Sequence, residues 1–307
     1  MAAGLAREIA WNGIAIRVPR DWNLAAVSDE PGSGYVRVDD EDMPRVEVKW
    51  ELPKGAPDLE KVKKRLLEQV RRGSKKARAQ LMVVEPEEGQ SGQGNPDLVT
   101  FEWRADVASR VQIQRCKKCK RVTVAQVYMP LEEVRSTLPE RVLATLRDHP
   151  DDAWVPWSVY EFRFDSPPEF TLAESHMYIG RLELNFARGE ETLQFAQWGA
   201  ADQRLGGEDL STWVQREFRR ELKNHRAEIS EQARGEDPGV CVEGRDMAIR
   251  TRARAVAAAL LKRETARVLR WHMWHCRGAN RLYAVRGLLA PSGLGLFAEC
   301  VERVVCH

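Results

Sequence analysis

The chain reads as one unit written twice, and that limits the folds open to it. Residues 110–127, RVQIQRCKKCKRVTVAQV, read as two strands joined by a tight turn, with Cys116 and Cys119 at the turn. Residues 268–285, VLRWHMWHCRGANRLYAV, repeat the pattern, with Cys276 in place of Cys116 and Arg281 in place of Arg121 at one constant offset. A second echo needs no gap. Residues 13–19, GIAIRVP, alternate apolar and polar side chains as a half-buried strand does, and residues 160–167, YEFRFDSP, do the same. Ile14, Ile16, Pro19, Trp22 and Leu24 correspond to Phe162, Phe164, Pro167, Phe170 and Leu172, and Trp50 corresponds to Trp198 at the same spacing.

The remaining elements follow in the same order in each half. Residues 35–38 and 46–50 flank the turn DDEDMP, and residues 181–187 and 192–198 flank RGEE, as hairpins. Asp58 precedes a stripe of Leu59, Val62, Leu66, Leu67 and Val70. Asp209 precedes Leu210, Trp213, Val214, Phe218 and Leu222. Spacings of three and four make an amphipathic helix, and aspartate is a favoured cap. Strands are expected at 79–84 and 98–105, and in the second half at 228–232 or 240–242 and at 246–255. The polar loop 89–96 interrupts the first set. A helix closes each half, over 131–147 and 295–306, with PERV (139–142) echoing VERV (301–304). The expected architecture is α+β: two tandem, similar domains over 1–150 and 151–307, each an antiparallel sheet flanked by helices.

A length of 307 residues suits about two domains with separate cores. The net charge of +2 selects neither nucleic acid nor acidic lipid as a partner. No apolar run approaches the roughly 20 residues of a membrane span, and no basic-then-apolar leader opens the sequence. The expectation is a cytoplasmic chain with Cys116, Cys119, Cys241, Cys276, Cys300 and Cys306 mostly reduced.

The segments Val18-Pro19-Arg20-Asp21-Trp22-Asn23-Leu24 and Ser166-Pro167-Pro168-Glu169-Phe170-Thr171-Leu172, with the element order above, resemble the Mog1/PsbP-like fold. The resemblance implies an antiparallel sheet with helices on both faces, used once per half, and a binding or assembly role. It transfers no functional residue.

Cys116-Lys117-Lys118-Cys119 is the sharpest local feature. Two thiols at this spacing on a hairpin tip have the form of a zinc knuckle, which needs two further ligands. The first half otherwise offers only His149, while His272, His275 and Cys276 lie on the equivalent hairpin. A redox dithiol is a second reading, with Lys117, Lys118 and Lys120 lowering the thiol pKa, and a plain turn is the third. Trp271, Met273 and His275 should face one side of a strand, with His272, Trp274 and Cys276 facing the other. That is the pattern of a strand buried on both faces.

Arg250, Arg252 and Arg254 alternate and would share a strand face. With Lys117, Lys118 and Lys120 they are the candidate contacts of a nucleic-acid-binding reading. No Walker loop, GxGxxG, HExxH or GxSxG is present. The functional expectation is a non-catalytic protein-binding or assembly module, with no resident cofactor unless the cysteine hairpin takes zinc. Nucleic-acid binding and a metal or redox site are the alternatives.

Overall fold

The computed structural model describes residues 4–30, 32–55, 57–76, 78–85, 95–149, 153–245 and 267–306. The expected strand at 246–255, and with it Arg250, Arg252 and Arg254, lies outside these residues, as does most of the loop at 89–96. The chain divides into two compact units. One comprises Met1–Asp151 with Pro156–Glu161, and the other Asp152–Val155 with Phe162–His307. Among the described residues no helix is long and apolar enough to cross a membrane.

In the first unit, β1 (Leu5–Trp11) and β2 (Ile14–Pro19) form a hairpin, and β10 (Val155–Val159) pairs with β1 at Ala10 and Ser158. β3 (Asn23–Glu30), β4 (Ser33–Asp39) and β5 (Pro44–Glu51) come next. They are followed by α1 (Leu59–Lys76), β6 (Met82–Val84), β7 (Leu98–Arg104), β8 (Ala108–Arg115) and β9 (Val122–Met129). The seven strands from β3 to β9 form one antiparallel sheet in the order β3-β4-β5-β9-β8-β7-β6. α1 lies on one face, where Leu59 and Val62 pack with Phe101, Trp103, Val111, Ile113 and Val122. The alternate residues of β9, Thr123, Ala125, Val127 and Met129, are buried on the opposite face. The closing helix is much shorter than expected. A single 3-10 turn at Leu131–Glu133 precedes α2 (Leu138–Leu143), which rests against β2, β8 and β9.

The second unit contains β11 (Phe162–Ser166), β12 (Thr171–Tyr178), β13 (Arg181–Arg188) and β14 (Glu191–Gly199). Three helices follow: α3 (Ala201–Leu205), α4 (Leu210–Glu217) and α5 (Arg219–His225). β15 (Glu228–Glu231), β16 (Gly239–Arg245), β17 (Val268–Cys276), β18 (Arg281–Leu289) and α6 (Leu294–Glu302) complete it. Its sheet runs β12-β13-β14-β18-β17-β16-β15, the same order as in the first unit. Helical residues Leu210, Trp213, Val214 and Leu222 pack on Trp198, Trp271, Met273, Leu282 and Ala284. The expected single helix breaks at Phe218 into α4 and α5.

The opposite face carries a strand as well as a helix. Phe164 of β11 stacks on Phe195 with centroids 4.1 Å apart, Phe162 lies 5.8 Å from Tyr283, and α6 touches β11, β17 and β18. Strand β17 is buried on both faces, as its alternating large side chains predict.

The proline motif makes the same turn in each unit. Trp22 N donates to Pro19 O at 3.2 Å, and Phe170 N to Pro167 O at 3.1 Å, which drops each aromatic ring into its core. The tryptophan pairing is different. Trp50 pairs with Thr123, on the face away from α1, whereas Trp198 pairs with Leu282, beneath α4. Because side chains alternate along a strand, a one-residue slip reverses the face. The pairing register sets Glu51, not Trp50, at the position of Trp198.

Candidate functional site

The sharpest chemistry lies at the turn between β8 and β9. Cys116 N donates to Arg121 O at 2.9 Å, and Lys120 N donates to Cys116 O at 3.0 Å. Lys120 takes a left-handed φ of 63°, which lets the chain double back after Cys119. Cys119 N donates to Cys116 Sγ at 3.4 Å, so both sulfurs sit on one side of the turn. A second segment meets them there. Ala15 and Arg147 exchange backbone hydrogen bonds of 2.9 and 2.8 Å, fixing the chain that leaves α2 alongside β2. The next two residues are Asp148, which is buried, and His149, which is half-buried.

Asp148 is shared between two partners. Cys119 Sγ donates to its Oδ2 at 3.1 Å, and Arg121 Nη1 lies 3.4 Å from its Oδ1. The same guanidinium donates to the backbone oxygens of Asn12 and Asp148, each at 3.2 Å, and rests 5.8 Å from the Trp50 ring. Cys116 Sγ, an Asp148 carboxylate oxygen and a His149 ring nitrogen all lie within 4.8 Å of one another. Burial pushes the Cys119 thiol up to about 12, with Asp148 and Cys116 adding to the shift. Lys117, Lys118 and Lys120 are exposed. Lys117 Nζ reaches Asp97 at 3.8 Å, and Lys120 Nζ donates to Lys117 O at 2.7 Å.

The equivalent turn of the second unit has other chemistry. The backbone bridge Arg163–Val305 matches Ala15–Arg147, so Cys306 stands where Asp148 stands. This pairing, rather than the PERV and VERV fragments, relates the two ends. Cys306 Sγ accepts from Trp274 Nε1 at 3.1 Å and from Arg234 Nη1 at 3.2 Å. Arg234 covers the Trp274 ring at 4.3 Å, and Trp274 stacks on Tyr283 at 5.7 Å. His272 bonds to Gln232 O at 3.2 Å, and His275 approaches Asp202 at 3.8 Å. Ala279 occupies the place of Cys119.

The sequence pointed to Cys116, Cys119 and His149 but not to Asp148. The missing signal was the strand bridge at Arg147, a long-range pairing that periodicity does not reveal.

No family model matches the chain, and no curated protein matches it. Among solved structures it is similar to the immunity protein TplEi of the type VI secretion system from Pseudomonas aeruginosa. The apo form is 12% identical over 97% of this chain and 96% of that one, with a TM-score of 0.31. The form complexed with "L" peptide is 13% identical over 98% of each chain, with a TM-score of 0.34. A chain of the Tle4–Tli4 complex is 12% identical over 99% of this chain and 98% of that one, with a TM-score of 0.31. Likeness at that level establishes neither a common function nor a common ancestor.

Proposed function

We propose that this chain is a non-catalytic protein-binding module formed by internal duplication of a Mog1/PsbP-like unit. The shared strand order and the repeated proline turn support the duplication. The observation that carries the binding role is the tip between β12 and β13. Tyr178 there is 62% exposed and Ile179 is 105% exposed, side by side beside the left-handed Gly180. His176 stacks on Tyr178 with centroids 6.0 Å apart and planes 8° from parallel, which holds the phenol in place. Among the described residues β12 is also a sheet edge, the kind of strand to which an extended partner can add. Exposed aromatic and aliphatic anchors next to polar backbone are the composition of a protein hot spot.

The test is a photo-crosslinking amino acid placed at position 178 and, as a control, at Lys223 on α5. The expected result is a discrete protein adduct from 178 alone, abolished by Ile179→Asp. Equal labelling from both positions, or salt-sensitive capture of nucleic acid in place of protein, would overturn the reading.

A further inference from the structure

We propose that the first unit binds zinc between Cys116, Cys119, Asp148 and His149. This goes beyond the protein-binding reading and does not depend on it.

The ligand types are those zinc takes: two thiols, an imidazole and a carboxylate. They come from two segments far apart in sequence, brought together by the turn of β8 and β9 and by the bridge at Arg147. Zinc bonds of about 2.0–2.3 Å place tetrahedral ligand atoms roughly 3.3–3.8 Å apart. Three of the atoms here already lie within 4.8 Å of one another, and Cys119 Sγ is 3.1 Å from Asp148 Oδ2. Cys119 stands outside that group of three and would join it by turning its sulfur from Asp148 toward the shared centre.

The surroundings favour a metal as well. The amide of Cys119 donates to Cys116 Sγ, the bond that orients and stabilises a thiolate. Arg121 holds Asp148 through Oδ1 and leaves Oδ2 turned toward the sulfurs, which is the task of an outer-shell residue. On binding, the two thiol protons pass to solvent and the sulfurs become ligands. Two thiolates, a carboxylate and a neutral imidazole around a dication carry a net charge of −1, which Arg121 and the exposed Lys117, Lys118 and Lys120 offset. Four protein ligands leave no open position, so the site is structural rather than catalytic. It clamps the tip of the β8–β9 hairpin to the segment that follows α2. The second unit has Ala279 and Cys306 at the Cys119 and Asp148 positions, so its turn does not repeat the ligand set.

The experiment is cobalt(II) titration of the full-length, fully reduced chain, with all six thiols counted under denaturing conditions. The expected spectrum shows tetrahedral visible bands and a thiolate-to-cobalt charge-transfer band, saturates at a single equivalent, and is displaced by zinc. Cys119→Ala and His149→Ala should each weaken binding more than about 100-fold, and Arg121→Lys by roughly 10- to 100-fold. Cys276→Ala should leave binding unchanged. Because His149 is half-buried, its variant tests the ligand without removing core. A reduced protein without a charge-transfer band would overturn the proposal. So would full affinity in both His149→Ala and Asp148→Asn, or loss of the spectrum in Cys276→Ala.

Discussion

The two hairpin tips, β8–β9 and β17–β18, have the same turn length and strand order but opposite chemistry. In the first unit the tip is polar. Two thiols, a shared carboxylate and an imidazole converge there, and the aromatic ring nearby, Trp50, is covered by Arg121. In the second the tip is filled. Trp274, Tyr283 and Arg234 stack around Cys306, whose sulfur accepts hydrogen bonds from Trp274 and Arg234. One backbone can thus support a tip packed with aromatic surface or one lined by polar side chains that bond to each other. Where the side chains supply no apolar filling, a metal is an alternative means of fixing the same turn.

The largest effect should come from breaking the packed unit. Trp271 is buried beneath α4 and α5 between Phe218 and Arg286. Trp271→Ala should cost about 3–5 kcal/mol in chemical denaturation. A midpoint that does not move would show that the helical face is not the core of this unit.

Next in size is a test of the reversed tryptophans. Gly34 pairs with Trp50, and a Cβ at Gly34 would sit inside the indole. Gly34→Ala should cost about 1–3 kcal/mol by overpacking. In the second unit the residue opposite Trp198 is Arg181, whose guanidinium lies 2.8 Å from the buried Glu183 carboxylate, so the space beside that indole is already filled. A Gly34→Ala midpoint equal to that of the parent chain would contradict this placement of Trp50.

Acid should also act unequally. Burial holds the His272 imidazole below its ordinary value. Arg234 and Arg270 press the same way, and the bond to Gln232 O opposes them. Unfolded histidine takes up its proton near pH 6.5, while the native ring resists it. The native state then binds fewer protons, so this contribution is complete above about pH 6.5 and is lost as the pH falls. Denaturation midpoints measured at neutral pH and near pH 5.5 should diverge, and His272→Gln should shrink the divergence.

A smaller effect is expected at the caps. Asp209 accepts from Thr212 N at 2.8 Å, and Asp58 accepts from Glu60 N at 3.0 Å. Asp209→Ala should lower the melting midpoint slightly, and Asp58→Ala should do the same in the first unit. Calorimetry would resolve both.

Much of this was legible in the residues. Alternation over Ile14–Pro19 and the three-and-four spacing after Asp58 and Asp209 are local signals, and the strands and helices they imply are present. The proline motif also folds alike in both units, because proline fixes its own φ and favours the turn that follows. What failed depended on long-range pairing. The Trp50–Trp198 match is real as letters, but register is set by the neighbouring strand, and one residue of slip reversed the face. β1 went unread, because LAREIAW lacks clean alternation and is held by pairing with both β2 and β10. The site was half legible: Cys116 and Cys119 announce themselves by spacing, whereas Asp148 joins them only through the bridge between Ala15 and Arg147.

The central claim is that the two tips differ in needing a cation, and amide hydrogen exchange of the full chain, reduced, with and without zinc, tests it most directly. The account predicts that zinc slows exchange in peptides covering Cys116–Arg121 and Arg147–His149 and leaves Cys276–Arg281 unchanged. Zinc-independent exchange at Cys116–Arg121, or equal protection of both tips, would contradict it.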